Sequence, residues 1–287
     1  MKLIRCGRAG SEIPALLTAD GTRYDVSAFT ADYDARFFTK QGIAALATWF
    51  ATHQGECPVI AADERLGSPV AQPPFFLCVG LNYAGHVKET GAKTPTEPVL
   101  FGKSPAAVCG PDDEIYLPPG STHLDYEVEL GLVIGTTGRH LDRAAAIAAI
   151  AGYVLVNDVS ERHWQKDRGG QWIKGKSYDH FAPVGPFLAT PDEVGDIANL
   201  QLELRVNGGV RQSGNTSDLL FAPADVVAYV SQFMTLLPGM IISTGTPAGV
   251  AMGMKPEPKY LQLGDRLDLS LTGLGEQHGT VVASPYA

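Results

Sequence analysis

The sequence predicts an α+β fold, rich in strands and broken by a few helices, on three observations. Short apolar runs bounded by Gly, Pro, Asp and Asn recur along the whole chain at irregular spacing. Helical periodicity does not alternate with the strands as it would in βαβ units. The chain carries 32 Gly and 20 Pro in 287 residues, more turn chemistry than average but short of a low-complexity composition.

Taken in order, Met1–Cys6 and Ile13–Thr18 have strand composition, and Ala19-Asp20-Gly21 turns the chain into a third strand, Thr22–Val26. Ile43, Leu46, Ala47 and Phe50 recur at i, i+3, i+4 and i+7 and predict a helix. Ser68-Pro69 and Pro73-Pro74 then punctuate the chain, so a small N-terminal αβ domain is expected over 1–70 and a larger domain over 71–287. In the larger one, strands are expected at Phe75–Val79, Val99–Phe101, Leu124–Ile134, Gly152–Asp158, Leu200–Val206, Met240–Thr244, Arg266–Leu271 and Gly279–Ala283. Helices are expected at Tyr83–Thr90, Arg143–Ile150 and Ala224–Leu236, the last with Val226, Tyr229, Val230 and Phe233 on one face. No internal repeat or low-complexity segment is present.

Composition narrows the function. Lys plus Arg number 22 against 31 Asp plus Glu, a net charge of −9. Such a chain repels phosphate backbones and anionic lipid heads, which argues against nucleic-acid and membrane-surface roles. Hydrophobic residues make up 45% and charged residues 18%, which fits a buried core rather than disorder. Cys6, Cys57, Cys78 and Cys109 form no C-x-x-C pair, so reduced thiols are expected rather than a zinc knuckle or a disulfide framework. The first ten residues lack the apolar stretch of a signal peptide. The longest apolar run, Ala144 to Val156, falls short of the roughly 18 residues of a membrane span. A soluble, cytoplasmic protein is expected.

Three patterns could carry chemistry. In Leu124-Asp125-Tyr126-Glu127-Val128-Glu129-Leu130, strand alternation puts Glu127 and Glu129 on one face, with Cα atoms about 6.6 Å apart at ~3.3 Å per residue. A half-solvated strand explains E-x-E equally well, but this one runs into Gly131-Leu132-Val133-Ile134, where both faces are apolar. Buried like charges need a positive partner. Asp158 ends another apolar strand. It could cap the next helix, as could Ser160, and Arg162 at i+4 could hold its carboxylate. Two glutamates and an aspartate form an all-oxygen set suited to Mg²⁺ or Mn²⁺ rather than Zn²⁺. Third, His86 and Glu89 lie at i, i+3 on a short helix, where a carboxylate can orient an imidazole that takes a proton from water. An exposed polar face is the plain alternative, and Lys176 by itself could be an ordinary surface lysine. Thr244-Gly245-Thr246-Pro247 lacks the lysine of a phosphate loop, and no G-x-S-x-G is present.

Together these segments resemble the fumarylacetoacetate hydrolase superfamily, over about Phe76 to Val282. The resemblance rests on Val79-Gly80-Leu81-Asn82-Tyr83 with His86 and Glu89, Phe101-Gly102-Lys103-Ser104-Pro105, and Asp125-Tyr126-Glu127-Val128-Glu129. It continues through Asn157-Asp158-Val159-Ser160-Glu161-Arg162, Gly170-Gln171-Trp172 with Gly175-Lys176-Ser177, Gly214-Asn215-Thr216-Ser217-Asp218 and Thr244-Gly245-Thr246-Pro247. It implies a mixed β-roll catalytic domain behind a small N-terminal domain, as a homodimer, acting on small oxo acids. It implies Glu127, Glu129 and Asp158 as ligands of Mg²⁺ or Mn²⁺, and His86 and Glu89 as a water-activating dyad on a lid. It also implies Lys176 at the reacting centre and Arg162, Gln165 and Thr246 against substrate. The founding branch adds a fourth metal carboxylate. None is placed here, since Asp112, Asp113 and Glu114 read as a turn, so the chain resembles the three-ligand branch. Gly85 stands where many members carry an acid.

The implied activity is hydrolysis of a C–C bond in a 2,4-dioxo acid, giving pyruvate and a carboxylic acid. Acylpyruvates and 2,4-diketo-3-deoxy sugar acids are the substrate classes, the latter favoured by Gly170–Pro186. Decarboxylation of oxaloacetate or tautomerisation of a dioxo acid would use the same ligands. A metal-stabilised binding protein without turnover is the alternative from another class.

Overall fold

The computed structural model describes residues 1–39 and 41–286. It has the expected α+β class, built on two main mixed sheets whose inner faces share one core. The centre of the larger sheet is Val128–Ile134, in which every residue is buried. It pairs antiparallel with Ile150–Asn157 on one side and with Ile241–Ser243 on the other. Burial on both faces explains why these strands read as continuous apolar runs. Ile241–Ser243 then pairs in parallel with Phe76–Gly80, and Phe76–Gly80 antiparallel with Val99–Lys103. In the other direction Ile150–Asn157 meets Leu188–Ala189, which meets Lys2–Cys6. The strands of the first seventy residues thus extend the same sheet, through Ile13–Leu17, Arg23–Asp25 and Val59–Ile60.

The second sheet runs Gly209–Asn215, Gln201–Val206, Arg266–Leu271, Gly275–Ala283 and Ile115–Leu117, with only the last pairing parallel. Its first hairpin turns on Asn207-Gly208, both at positive φ, the backbone that tight hairpins demand. Sequence reading passed over this strand, Gly209–Asn215, because Arg211, Gln212, Ser213 and Gly214 lack β composition.

Other elements differ from expectation at their ends. The stretch Leu124–Ile134 is two strands, Leu124–Asp125 and Val128–Ile134, separated by a corner at Tyr126-Glu127. The corner exists because the Asp125 carboxylate accepts from the backbone N–H groups of Tyr126, Ala251 and Met252, which takes the chain out of the ladder. The helix at Arg143 stops at Ala148, and the next strand begins at Ile150 rather than Gly152. The helix expected at Ala224–Leu236 is Pro223–Phe233, with Pro at its start and extended Met234 ending it. Its buried face is Val226, Val227, Val230 and Ser231, while Phe233 is largely exposed. All four cysteines are free and buried. No described helix is long and apolar enough to cross a membrane.

Candidate active site

Strand pairing brings the acids together. Val128 sits opposite Asn157, so the residues just outside that pair, Glu127 and Asp158, are neighbours: the Asp158 N–H donates to the Glu127 carbonyl at 2.9 Å. Glu129 lies two residues further along the same strand. One carboxylate oxygen from each of Glu127, Glu129 and Asp158 falls within 4.8 Å of the others, and all three side chains are buried.

Each is fixed by different partners. Glu129 Oε2 accepts from Ser243 Oγ at 2.5 Å and from the Gly245 N–H at 2.8 Å. That approach requires glycine at 245, where φ is +99° and a Cβ would lie 2.8 Å from Asn82 Cβ. Asn82 is itself buried between Phe221 and the Thr244 carbonyl, and so ties the helix Ala84–Thr90 to the same loop. Glu127 is gripped by Arg162 at 2.6 Å and by Lys176 Nζ at 2.6 Å. Asp158 receives Lys176 Nζ at 2.8 Å on one oxygen and Lys103 Nζ at 2.5 Å on the other. Lys103 also donates to the Val159 carbonyl, which anchors it beneath the site.

Four acids (Asp125, Glu127, Glu129 and Asp158) thus face three cations (Lys103, Arg162 and Lys176) in one buried network. Burial pushes Glu127 up, but Arg162 and Lys176 overcome it and hold the carboxyl below its ordinary range. Glu129 has no such partner: burial, with Asp158 and Glu127 nearby, pushes its carboxyl well up. Burial lowers Lys103 against the pull of Asp158, whereas in Lys176 the attraction of Asp158 and Glu127 outweighs burial and the pKa rises. A buried set of oxygen donors with one more negative than positive group suits a hard divalent cation. The residues present therefore fit the ion that the three-acid pattern implies.

His86 lines the same space, and Glu89 stands behind it. His86 Nδ1 lies 2.8 Å from Glu89 Oε1, and Glu89 Oε2 accepts from the Gly249 N–H at 2.8 Å. A carboxylate at Nδ1 favours the tautomer with the proton on that nitrogen, which leaves Nε2 as an acceptor. His86, Glu127, Glu129, Arg162, Gln165, Lys176 and Thr246 all line one narrow cavity of about 170 Å³. Phe101 and Trp172 form an apolar wall, edge to face at 5.2 Å. Lys176 Nζ also sits over the Phe101 ring at 4.9 Å.

Some expected contacts are replaced by others. Arg162 does not hold Asp158; its guanidinium is taken by Asp125 at 2.8 Å, by Glu127 and by Gln165 at 3.0 Å. Neither Asp158 nor Ser160 caps the following helix, because Glu161 does, accepting from the Trp164 N–H. Lys176 is buried rather than a surface lysine. Thr246 donates to the Val128 carbonyl and accepts from Gln212. Asp113 pairs with Arg65, away from the acids. Sequence reading did not assign a role to Lys103 or Asp125. The signal for Lys103 was a lysine ending an apolar strand in Val99–Lys103.

Known proteins show the family and the fold. The family pattern described as fumarylacetoacetate (FAA) hydrolase C-terminal matches residues 76–282. A Burkholderia lata protein named as a hydrolase is 47% identical over 277 residues, 96% of this chain and 97% of that one. Among solved structures, the maleylpyruvate hydrolase of Sphingobium sp. SYK-6, in complex with manganese(II) and pyruvate, is similar with a TM-score of 0.81. It is 29% identical, over 99% of this chain and all of that chain. A 2-hydroxyhepta-2,4-diene-1,7-dioate isomerase of Mycobacterium marinum is similar with a TM-score of 0.75 at 31% identity, over 99% of each chain.

Proposed function

This chain belongs to the fumarylacetoacetate hydrolase family, and from that premise we propose that it hydrolyses a C–C bond in a 2,4-dioxo acid, yielding pyruvate and a carboxylic acid. The observation that carries the reading is His86, held by Glu89 at Nδ1 and lining the same cavity as Glu127, Glu129 and Lys176, with Asp158 within reach of the two glutamates. Acylpyruvates and 2,4-diketo-3-deoxy sugar acids are the substrate classes, and the reading extends to a cytoplasmic homodimer. Glu127, Glu129 and Asp158 would hold Mg²⁺ or Mn²⁺, which when bound supplies Lewis-acid charge for the 2-oxo acid head. The manganese in the similar maleylpyruvate hydrolase supports that choice of ion.

The chain's own groups do the proton work. His86 Nε2 takes a proton from a water that adds to the C4 carbonyl, while Glu89 stabilises the resulting imidazolium. Lys176 spends two N–H donors on Glu127 and Asp158 and has a third for the oxyanion that forms at C4. Collapse of that oxyanion breaks the C3–C4 bond. The carbon fragment leaves as an enolate and gains a proton to become pyruvate, while C4 becomes the new carboxylate. Arg162, Gln165 and Thr246 position substrate along the wall.

Stripped protein reloaded with Mg²⁺ or Mn²⁺ is expected to release pyruvate from members of a panel of acylpyruvates and diketo sugar acids, and to lose that activity on chelation. Unchanged turnover in metal-free protein would sink the metal requirement. A second reading, tautomerisation or decarboxylation of an oxo acid, is favoured by the likeness to the Mycobacterium marinum isomerase. Neither reaction consumes water, so the role of His86 separates them from hydrolysis.

A further inference from the structure

The cations at the cavity differ in how far they are committed. Arg162 is held by Asp125, Glu127 and Gln165, and Lys176 by Glu127 and Asp158. Lys166 also lines the cavity, yet among the described residues no carboxylate or carbonyl engages its ammonium in an ion pair or hydrogen bond. It reaches the cavity for a simple reason. On the helix Arg162–Lys166, Arg162, Gln165 and Lys166 stand at i, i+3 and i+4 and so share a face. His163 points elsewhere and pairs with Asp167 in solvent.

Position distinguishes the two ends of the cavity. The acids and Lys176 are buried, whereas Lys166 is exposed, so a deep charged end opens to a mouth bearing one free cation. Phe101 and Trp172 line the same cavity. Trp172 is seated by the missing side chain of Gly80, where a Cβ would lie 2.5 Å from the indole. Partial burial, with Arg162 nearby, lowers the Lys166 pKa against the pull of Glu127 and Asp167.

We propose that Lys166 is a specificity-determining residue that receives a carboxylate at the end of the substrate opposite the 2-oxo acid head, so that the preferred substrate is a dianionic oxo acid. The assignment rests on the oxo-acid reading of the same site. Within either substrate class it singles out members whose far end carries a carboxylate.

The test compares a 2,4-dioxo acid ending in a carboxylate with the same acid ending in a primary carboxamide. Both kcat/KM and binding, by quenching of tryptophan fluorescence, are measured on metal-loaded parent, Lys166→Met and Lys166→Arg proteins. A charge-assisted hydrogen bond sets the scale of the preference at about ten- to a hundredfold. The parent is expected to favour the carboxylate by that factor, Lys166→Met to lose the preference, and Lys166→Arg to keep most of it. The parent's preference is also expected to shrink at high salt. A parent without preference, or a Lys166→Met protein that retains it, overturns the assignment. If neither acid is turned over, the hydrolase reading fails, and the binding ratio still decides Lys166: a carboxylate preference lost in Lys166→Met supports it, and equal binding of the two acids by the parent overturns it.

Discussion

Replacing Glu127 or Glu129 by Ala is expected to reduce metal-dependent turnover to background and to abolish tight Mn²⁺ binding. Even groups in the outer shell of a metal site typically cost about 10–100-fold in affinity or activity when removed. A charged ligand on a hard cation that demands near-octahedral oxygen coordination costs more. The two variants are expected to differ in stability. Glu129 is bonded to Ser243 and Gly245, neutral groups whose loss of a partner is tolerable. Glu127 partners both Arg162 and Lys176, and its removal leaves two buried cations less compensated, the kind of defect that costs about 3–5 kcal/mol. Glu127→Gln, which preserves shape, keeps the test clear of unfolding. Titration with Mn²⁺ checks the assignment, and a variant that binds as tightly as the parent shows that the residue is not a ligand.

The second large effect is expected at His86. A positioned general base contributes roughly 10²–10⁴-fold, so His86→Ala is expected to lower kcat for a dioxo acid by that range while leaving Mn²⁺ affinity near the parent value. Glu89→Gln is expected to do less harm. It keeps one acceptor oxygen for the imidazole, at the cost of the hydrogen bond from the Gly249 N–H, which then meets an NH2 donor, and of the charge that supports an imidazolium. Decarboxylation of oxaloacetate needs no attacking water, so any such activity is expected to survive His86→Ala better than hydrolysis does. Hydrolysis at the parental rate in His86→Ala would make the dyad structural.

How much of this was legible in the sequence depended on whether local pattern or distant pairing decides the matter. Alternation and apolar runs located Val128–Ile134, Ile150–Asn157 and Phe76–Gly80, because burial on both faces leaves a strong local mark. The i, i+3 spacing located His86 and Glu89, since a single turn of helix fixes that relation. The three acids were legible as types, but their convergence depends on the register that sets Val128 opposite Asn157, which no local window contains. The same holds for their partners. Arg162 at i+4 from Asp158 pointed to the wrong acid, because Asp125 and Glu127 reach it from another strand. Lys103 lies 55 residues from Asp158 in sequence, and its place at the end of the apolar strand Val99–Lys103 does not name that partner. The corner at Tyr126-Glu127 was hidden for a related reason. The N–H groups that draw the Asp125 carboxylate out of the ladder include those of Ala251 and Met252, more than a hundred residues away. Misplaced Phe233 has a local cause: its spacing fits the apolar face, but the helix ends there and the side chain leaves the core.

Hydrolysis, unlike isomerisation or decarboxylation, consumes one water and places its oxygen at a known atom. The most direct measurement is therefore turnover of a 2,4-dioxo acid by the Mn²⁺-loaded protein in oxygen-18-labelled water, with both products read by mass spectrometry. Cleavage of the C3–C4 bond by a water that His86 activates is expected to give pyruvate and carboxylic acid in equal amounts, with one labelled oxygen in the new carboxylate of the acid. Consumption of the dioxo acid without that label, or with carbon dioxide or a tautomer as product instead of pyruvate, would contradict it.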